Sequence, residues 1–190
     1  NGSSNGISGG NAKQCIVNTT SGTGLNAMTN AYSCVINCAT SGKGITNTNN
    51  SFYCIVTTNT GICFDGSAVA SQNAYNSIAR TVSGTCFYST VAQNCQAYAS
   101  GAGNAIALHF NYGDGRYKFY NCFLYSAGAI VSNAGRISLL NCTILSGWNN
   151  AAGHAVRMDS ASSLNEVANC VIEVTNSSAN CINATAATTV

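Results

Sequence analysis

Apolar side chains return along this chain in short runs about every twenty residues, and each run is closed by asparagine, glycine or serine. One series follows a cysteine: Cys15-Ile-Val, Cys34-Val-Ile, Cys54-Ile-Val, Cys95-Gln-Ala, Cys122-Phe-Leu, Cys142-Thr-Ile and Cys170-Val-Ile. Ser77-Ile-Ala fills the one gap, because Asn73-Ala-Tyr-Asn-Ser repeats Asn30-Ala-Tyr-Ser-Cys with serine in the cysteine position. The spacings are 19, 20, 23, 18, 27, 20 and 28 residues. A second series, glycine followed by a short apolar run, interleaves with the first: Gly24-Leu, Gly44-Ile, Gly61-Ile, Gly84-Thr-Cys, Gly103-Asn-Ala-Ile, Gly128-Ala-Ile and Gly153-His-Ala-Val, with Asn180-Cys-Ile last.

A unit of this size, made of short strands and turns, cannot bury its own apolar side, so the units must stack. Regular leucines of a leucine-rich repeat are missing, and a hexapeptide solenoid would demand a strict period of about 18. The expectation is therefore an all-β, right-handed parallel β-helix solenoid of about eight rungs, a single domain over residues 1–190 or a piece of a longer repetitive chain. At the spacing of parallel strands, roughly 4.8 Å, eight rungs make a rod about 35 to 40 Å long. Alternation puts Tyr32/Cys34/Ile36, Tyr120/Cys122/Leu124 and Leu140/Cys142/Ile144 inward. It also puts Ile106/Leu108/Phe110, Ile130 and Val156/Met158 inward, with Arg157 and Asp159 outward. Asn121, Asn141 and Asn169 form a candidate stacked amide ladder.

Composition agrees with strands. Glu, Lys, Leu and Arg, the usual helix formers, are scarce, and proline is absent, as suits strands that are central in a ladder. With 46% hydrophobic residues the chain can bury a core, whereas only 6% are charged. Asn, Ser and Thr number 26, 22 and 18, so neutral amides and hydroxyls must build the polar surface. A net charge of +2 offers no basic stripe for nucleic acid, and no apolar run reaches the roughly 18 residues of a membrane helix.

Asn141-Cys-Thr-Ile-Leu and Asn169-Cys-Val-Ile-Glu, each followed by a turn and a short second strand, resemble the right-handed parallel β-helix repeat proteins of the pectate-lyase-like group. The resemblance implies the fold. It does not imply an activity, because that architecture carries polysaccharide lyases and hydrolases, tailspikes, adhesins and plain rods. The family's acidic catalytic clusters have no counterpart among Asp65, Asp114, Asp159, Glu166 and Glu173, the five acids present.

Eleven cysteines make the thiol the first chemistry to weigh. Cys15, Cys34, Cys54, Cys122, Cys142 and Cys170 are expected to form an inward core ladder of thiols, behaving as small hydrophobes. In-register parallel geometry is poor for disulfides. No metal site is expected: Cys34 and Cys38 are the only close pair and lack histidine partners. No cofactor is expected either. An enzyme on this scaffold would have to use Asp159, Arg157 and His154, with His109 and Asn133 in Asp159's outward column and Arg157 one column over. The insert from His109 to Tyr117 and the Trp148-Asn-Asn stretch lengthen their rungs and read as loops leaving the rod. Tyr112, Asp114, Tyr117 and Trp148 are accordingly the candidate ligand-binding residues, for a glycan or a protein. Threonine pairs at 19–20 and 57–58 do not continue as a regular array along the chain, which disfavours ice binding.

The sequence favours a non-enzymatic structural or adhesive rod, a subunit of an extracellular filament, surface appendage or virion fibre. Rung ends without a recognisable cap leave strand edges open, so the partners expected are copies of the chain itself, end to end or side by side, with glycans as a further class. A carbohydrate-active β-helix is the alternative.

Overall fold

The computed structural model describes residues 5–67, 72–88, 90–101, 106–127, 130–147, 154–158, 165–175, 180–184 and 188–189. They form an all-β parallel solenoid with coils of about 20 residues and no helix. Each coil contributes to three faces. Face 1 holds Ile7–Ser8, Leu25–Asn26, Ile45–Thr46, Ile62–Asp65, Thr85–Tyr88, His154–Met158 and Asn180–Ala184. Face 2 holds Asn11–Lys13, Asn30–Tyr32, Asn50–Phe52, Gln72–Tyr75, Thr90–Gln93, Asn165–Ala168 and Thr188–Thr189. In coils 6 and 7 the two faces merge into the long strands Ile106–Tyr120 and Ile130–Leu140. Face 3 is a separate sheet of eight strands, Ile16–Thr19, Val35–Cys38, Ile55–Thr58, Ile78–Thr81, Gln96–Ala99, Phe123–Ser126, Thr143–Ser146 and Val171–Val174. Six of these eight are paired on both edges, which gives about six coils enclosed on both sides. Every pairing is parallel and joins one coil to the next.

Register turns each coil position into a column. Inside face 1, Leu25, Ile45, Phe64, Phe87 and Leu108 stack in order. Inside face 2 the column runs Ala12, Ala31, Ser51, Ala74, Ala92, Phe119, Leu139, Val167. Inside face 3 it runs Val17, Ile36, Val56, Ala79, Ala97, Leu124, Ile144, Ile172.

The three columns compensate one another. Coil 4 sets Phe64 beside Ala74 and Ala79, and coil 5 sets Phe87 beside Ala92 and Ala97; all six are fully buried. A close-packed interior fixes the volume that one coil can enclose, so a phenylalanine on one face requires small residues on the other two. In coil 6, where the longer strand enlarges the perimeter, Leu108, Phe119 and Leu124 are all large and all fully buried.

A left-handed corner joins face 2 to face 3. Gln14, Ser33, Tyr53, Asn76, Asn94, Asn121, Asn141 and Asn169 occupy it with φ between 49° and 55°. From coil 4 onward the residue is always asparagine, which accepts this conformation most readily among residues with a side chain. The corner overturns part of the alternation expected above. A left-handed residue interrupts the strand, so side chains on its two sides no longer alternate as one run. Ala31, Phe119 and Leu139 point inward, whereas Tyr32, Tyr120 and Leu140 point outward. Cys34/Ile36, Cys122/Leu124 and Cys142/Ile144 are buried as expected. So are Leu108 and Val156, while Ile106 is half-buried.

A close backbone approach marks the corner from face 3 to face 1. A Cβ on Gly61 would strike the Gly42 carbonyl oxygen, and one on Gly84 would strike that of Gly61. Only glycine lets successive chains lie this near.

Candidate functional site

The side chains of the residues proposed for catalysis lie outside the described set. His154 and Arg157 lie in the face 1 strand His154–Met158, and Asp159 lies outside the described residues. Register places Arg157 opposite Val131, and Val131 opposite His109. Arg157 therefore stands in the His109 column, not one column over. Asn133 falls where the pairing shifts, between Ser132 and Ala134. His109 packs edge-on against Tyr88, ring centroids 5.1 Å apart, and burial holds its imidazole pKa below the ordinary value.

The insert is not a loop. Residues 109–117 run within the strand Ile106–Tyr120, which pairs with Ile130–Leu140 through register shifts at Phe110/Asn111 and between Asn111 and Arg116. Extra residues are absorbed as an irregularity in the ladder, and pairing resumes at Arg116 opposite Arg136. Tyr112 and Asp114 belong to this strand, with side chains outside the described set. Tyr117 is buried at 6% exposure, so it cannot contribute to an exposed patch. Trp148 lies outside the described residues.

The core thiol ladder is present. Cys34, Cys54, Cys122 and Cys142 are buried, with Cys15 and Cys170 half-buried at the ends of the column. All eleven cysteines are free thiols. Each ladder thiol follows the left-handed corner and donates to the carbonyl two residues back: Cys34 to Tyr32 at 3.2 Å, Cys95 to Gln93 at 3.3 Å, Cys122 to Tyr120 at 3.3 Å, Cys142 to Leu140 at 3.4 Å. The sulfur also accepts from the preceding coil, as Cys95 Sγ does from the Ser77 amide at 3.5 Å and Cys170 Sγ from the Cys142 amide at 3.4 Å. The thiol therefore satisfies corner groups that strand pairing leaves over, as buried polar groups require. Burial pushes the Cys54 thiol up to about 12 and Cys95 up to about 11, so these two are protonated at neutral pH, whereas the hydrogen bond from the Cys122 thiol draws Cys142 down to about 7. A second buried pair, Cys63 and Cys86, stacks at the start of face 1, its sulfurs bonded to the Arg80 and Ala79 carbonyls.

The outside carries its own ladders. Asn11, Asn30, Asn50 and Asn73 pass side-chain amide hydrogen bonds up face 2 at 3.1, 3.1 and 3.2 Å. At the corner Asn121 donates to Asn94 and Asn94 to Asn76, at 3.2 and 3.3 Å. Beside the first ladder Tyr32, Phe52 and Tyr75 stack with centroids 5.0 Å apart and planes within 13°. Phe52 is covered on both ring faces, and Tyr32 and Tyr75 on one each.

Face 3 is the surface that the repeat reading missed. Its outer positions form two columns. One is Ile16, Val35, Ile55, Ile78, Gln96, Phe123, Thr143, Val171, and the other is Asn18, Asn37, Thr57, Arg80, Tyr98, Tyr125, Leu145, Glu173. Ile16 and Val171 are 75% and 63% exposed. The signal was present in the repeat: the two successive aliphatics after Cys15, Cys34, Cys54 and Cys170 cannot both face inward in a strand. A shallow groove of 360 Å³ lies toward the first coils, between Asn37, Cys38, Thr57 and Val82.

Elsewhere charge is sparse. Lys43 Nζ meets Asp65 Oδ2 at 2.6 Å, and Asp65, 2% exposed, also accepts the Ser67 amide at 3.0 Å. Both of its oxygens are thus used in holding the structure. No cluster of three or more metal-ligating side chains exists among the described residues.

Compared with protein-family models, curated proteins and solved structures, the chain matches none.

Proposed function

We propose that the chain is a non-enzymatic structural or adhesive β-helix, a subunit of an extracellular filament, surface appendage or virion fibre that self-associates through its rung ends. The winding is right-handed, as parallel crossovers almost always are, and akin in coil design to the pectate-lyase-like group. One observation carries the reading. Among the described residues, the first-coil strands Ile7–Ser8, Asn11–Lys13 and Ile16–Thr19 pair on one edge only, each extending a ladder whose register is otherwise continuous. An unpaired edge of this kind is a template for another parallel strand, and the matching partner is the far coil of a second copy.

The surface supports the same use. Self-bonded asparagine ladders and an aromatic stack stiffen the outside without ions, so salt has little to screen. Buried thiols are shielded from oxidation, which suits a location outside the cell or on a virion.

Sedimentation velocity over a concentration series, with negative-stain images of the same samples, tests the proposal. Rods longer than one chain support it. A monomer at all concentrations overturns it, and cleavage of a polysaccharide panel by that monomer would point to the carbohydrate-active alternative.

A further inference from the structure

Face 3 fits a second copy of itself. We infer that two rods associate side by side through this face, antiparallel, about a dyad that passes coil 6 along the strand direction; the inference rests on the rod reading above. Rotation about such an axis keeps each outer column opposite its own column and exchanges coil 4 with coil 8, and coil 5 with coil 7. The pairs that result are chemically matched. Ile78 meets Val171, Gln96 meets Thr143, and Tyr98 meets Leu145, while Phe123 and Tyr125 meet their own copies on the axis.

The charges decide the register. Among the 16 outer positions of face 3, Arg80 and Glu173 are the only cation and the only anion. Both are exposed, and both stand in the same column, Arg80 on coil 4 and Glu173 on coil 8. Within one chain they are four rungs apart, roughly 19 Å, too far to pair. Across the dyad through coil 6 each faces the other, so one arrangement forms two ion pairs at once, as an isologous interface must. A dyad shifted by one rung puts Arg80 against an uncharged neighbour and Ile78 out of line with Val171. Parallel packing, coil on coil, puts Arg80 at the level of Arg80 and Glu173 at the level of Glu173, so it pairs neither charge with its opposite.

The patch is small. Five coils span about 20 Å and four residues about 13 Å, which places one contact at the weak end of protein interfaces. Repetition along joined rods multiplies it, because each subunit added end to end brings another dyad to the same neighbouring rod. Arg80 is already oriented for this: its guanidinium lies 5.9 Å from the Tyr98 ring centroid, over the outer surface of the sheet.

The test is charge exchange, read by sedimentation and by rod width on micrographs. Arg80→Glu and Glu173→Arg should each weaken lateral association roughly tenfold or more, leaving single-width rods of unchanged length, and the double exchange should restore pairing. Tyr125→Arg, which sets two cations against each other on the dyad, should abolish pairing with no rescue by either exchange. Circular dichroism matching the parent confirms that each substituted chain folds. Paired rods indifferent to all three changes, single-width rods from the parent chain, or failure of the double exchange to rescue would each overturn the lateral dyad while leaving end-to-end growth intact. Loss of rod length in the parent overturns the end-to-end reading instead, and a paired short rod would still uphold the dyad.

Discussion

The hydroxyl oxygen of Ser77 accepts the amide hydrogen of Cys54 at 3.1 Å, and the same hydroxyl donates to the Tyr75 carbonyl at 2.9 Å. Serine here performs what sulfur does in neighbouring coils, where the Cys95 thiol accepts from the Ser77 amide and donates to Gln93. The column is defined by a two-way hydrogen bond at the left-handed corner, and hydrophobic size is secondary to it.

Ser77→Ala should therefore cost about 1 to 3 kcal/mol, the penalty for leaving a buried amide without an acceptor. Ser77→Cys restores the column and should cost less than alanine does. Urea denaturation of both variants checks the order, and an alanine variant as stable as the parent would mean that the corner needs only bulk.

The coil compensation predicts overpacking. Ala97 shares coil 5 with Phe87, and both are fully buried. Ala97→Leu should destabilise by about 1 to 3 kcal/mol, because the coil has no spare volume. Phe87→Ala should cost about 3 to 5 kcal/mol, since it also removes the ring stacked 5.1 Å from Phe64. Combining the two changes should recover part of the loss, measured as a non-additive melting shift.

Gly61→Ala should disrupt the solenoid out of proportion to one methyl group. The new Cβ would meet the Gly42 carbonyl oxygen, which is backbone and cannot swing away. Loss of the cooperative melting transition, or a fall of several degrees in its midpoint, is the expected result. Gly9→Ala serves as a control, since nothing lies within 4 Å of its added Cβ, although its φ of 80° carries its own strain.

Much of this was legible in the chain itself. The cysteine period located face 3, and the asparagines before Cys122, Cys142 and Cys170 marked its corner. The inward direction of Tyr32, Tyr120 and Leu140 was misread because Ser33, Asn121 and Asn141 look like strand residues, while their positive φ ends one strand and begins another. The insert beyond His109 looked like a loop because it lengthens its rung, yet a neighbouring strand from Ile130 to Leu140 was available to pair it. Neither the Phe64/Ala74/Ala79 exchange of volume nor the Arg80/Glu173 relation could be seen before register assigned residues to coils. Both depend on which residues share a level, and local periodicity does not carry that information.

Thiol chemistry follows from burial. Cys181 is exposed and should react first with a thiol reagent, with Cys15 and Cys170 slower and the eight buried cysteines silent until unfolding. Alkaline stability follows from the same burial. Below pH 9 the Cys54 thiol is protonated in both folded and unfolded chains, and its ordinary value is 9.0 against about 12 when folded. Between these values the unfolded chain has released the proton that the folded chain retains, so stability falls as pH rises through that window. Cys95, at about 11, adds to the fall. Urea midpoints should decline from about pH 9 upward, and Cys54→Ser should flatten the decline.

The central claim is a rod that continues itself. Cryo-electron microscopy of assembled material at the joint between two subunits tests it most directly. The account predicts that the strand spacing of roughly 4.8 Å runs unbroken through the joint, with the strands Ile7–Ser8 and Asn11–Lys13 of one copy hydrogen-bonded to Asn180–Ala184 and Thr188–Thr189 of the next. Particles one chain long, with those first strands facing solvent, would contradict it.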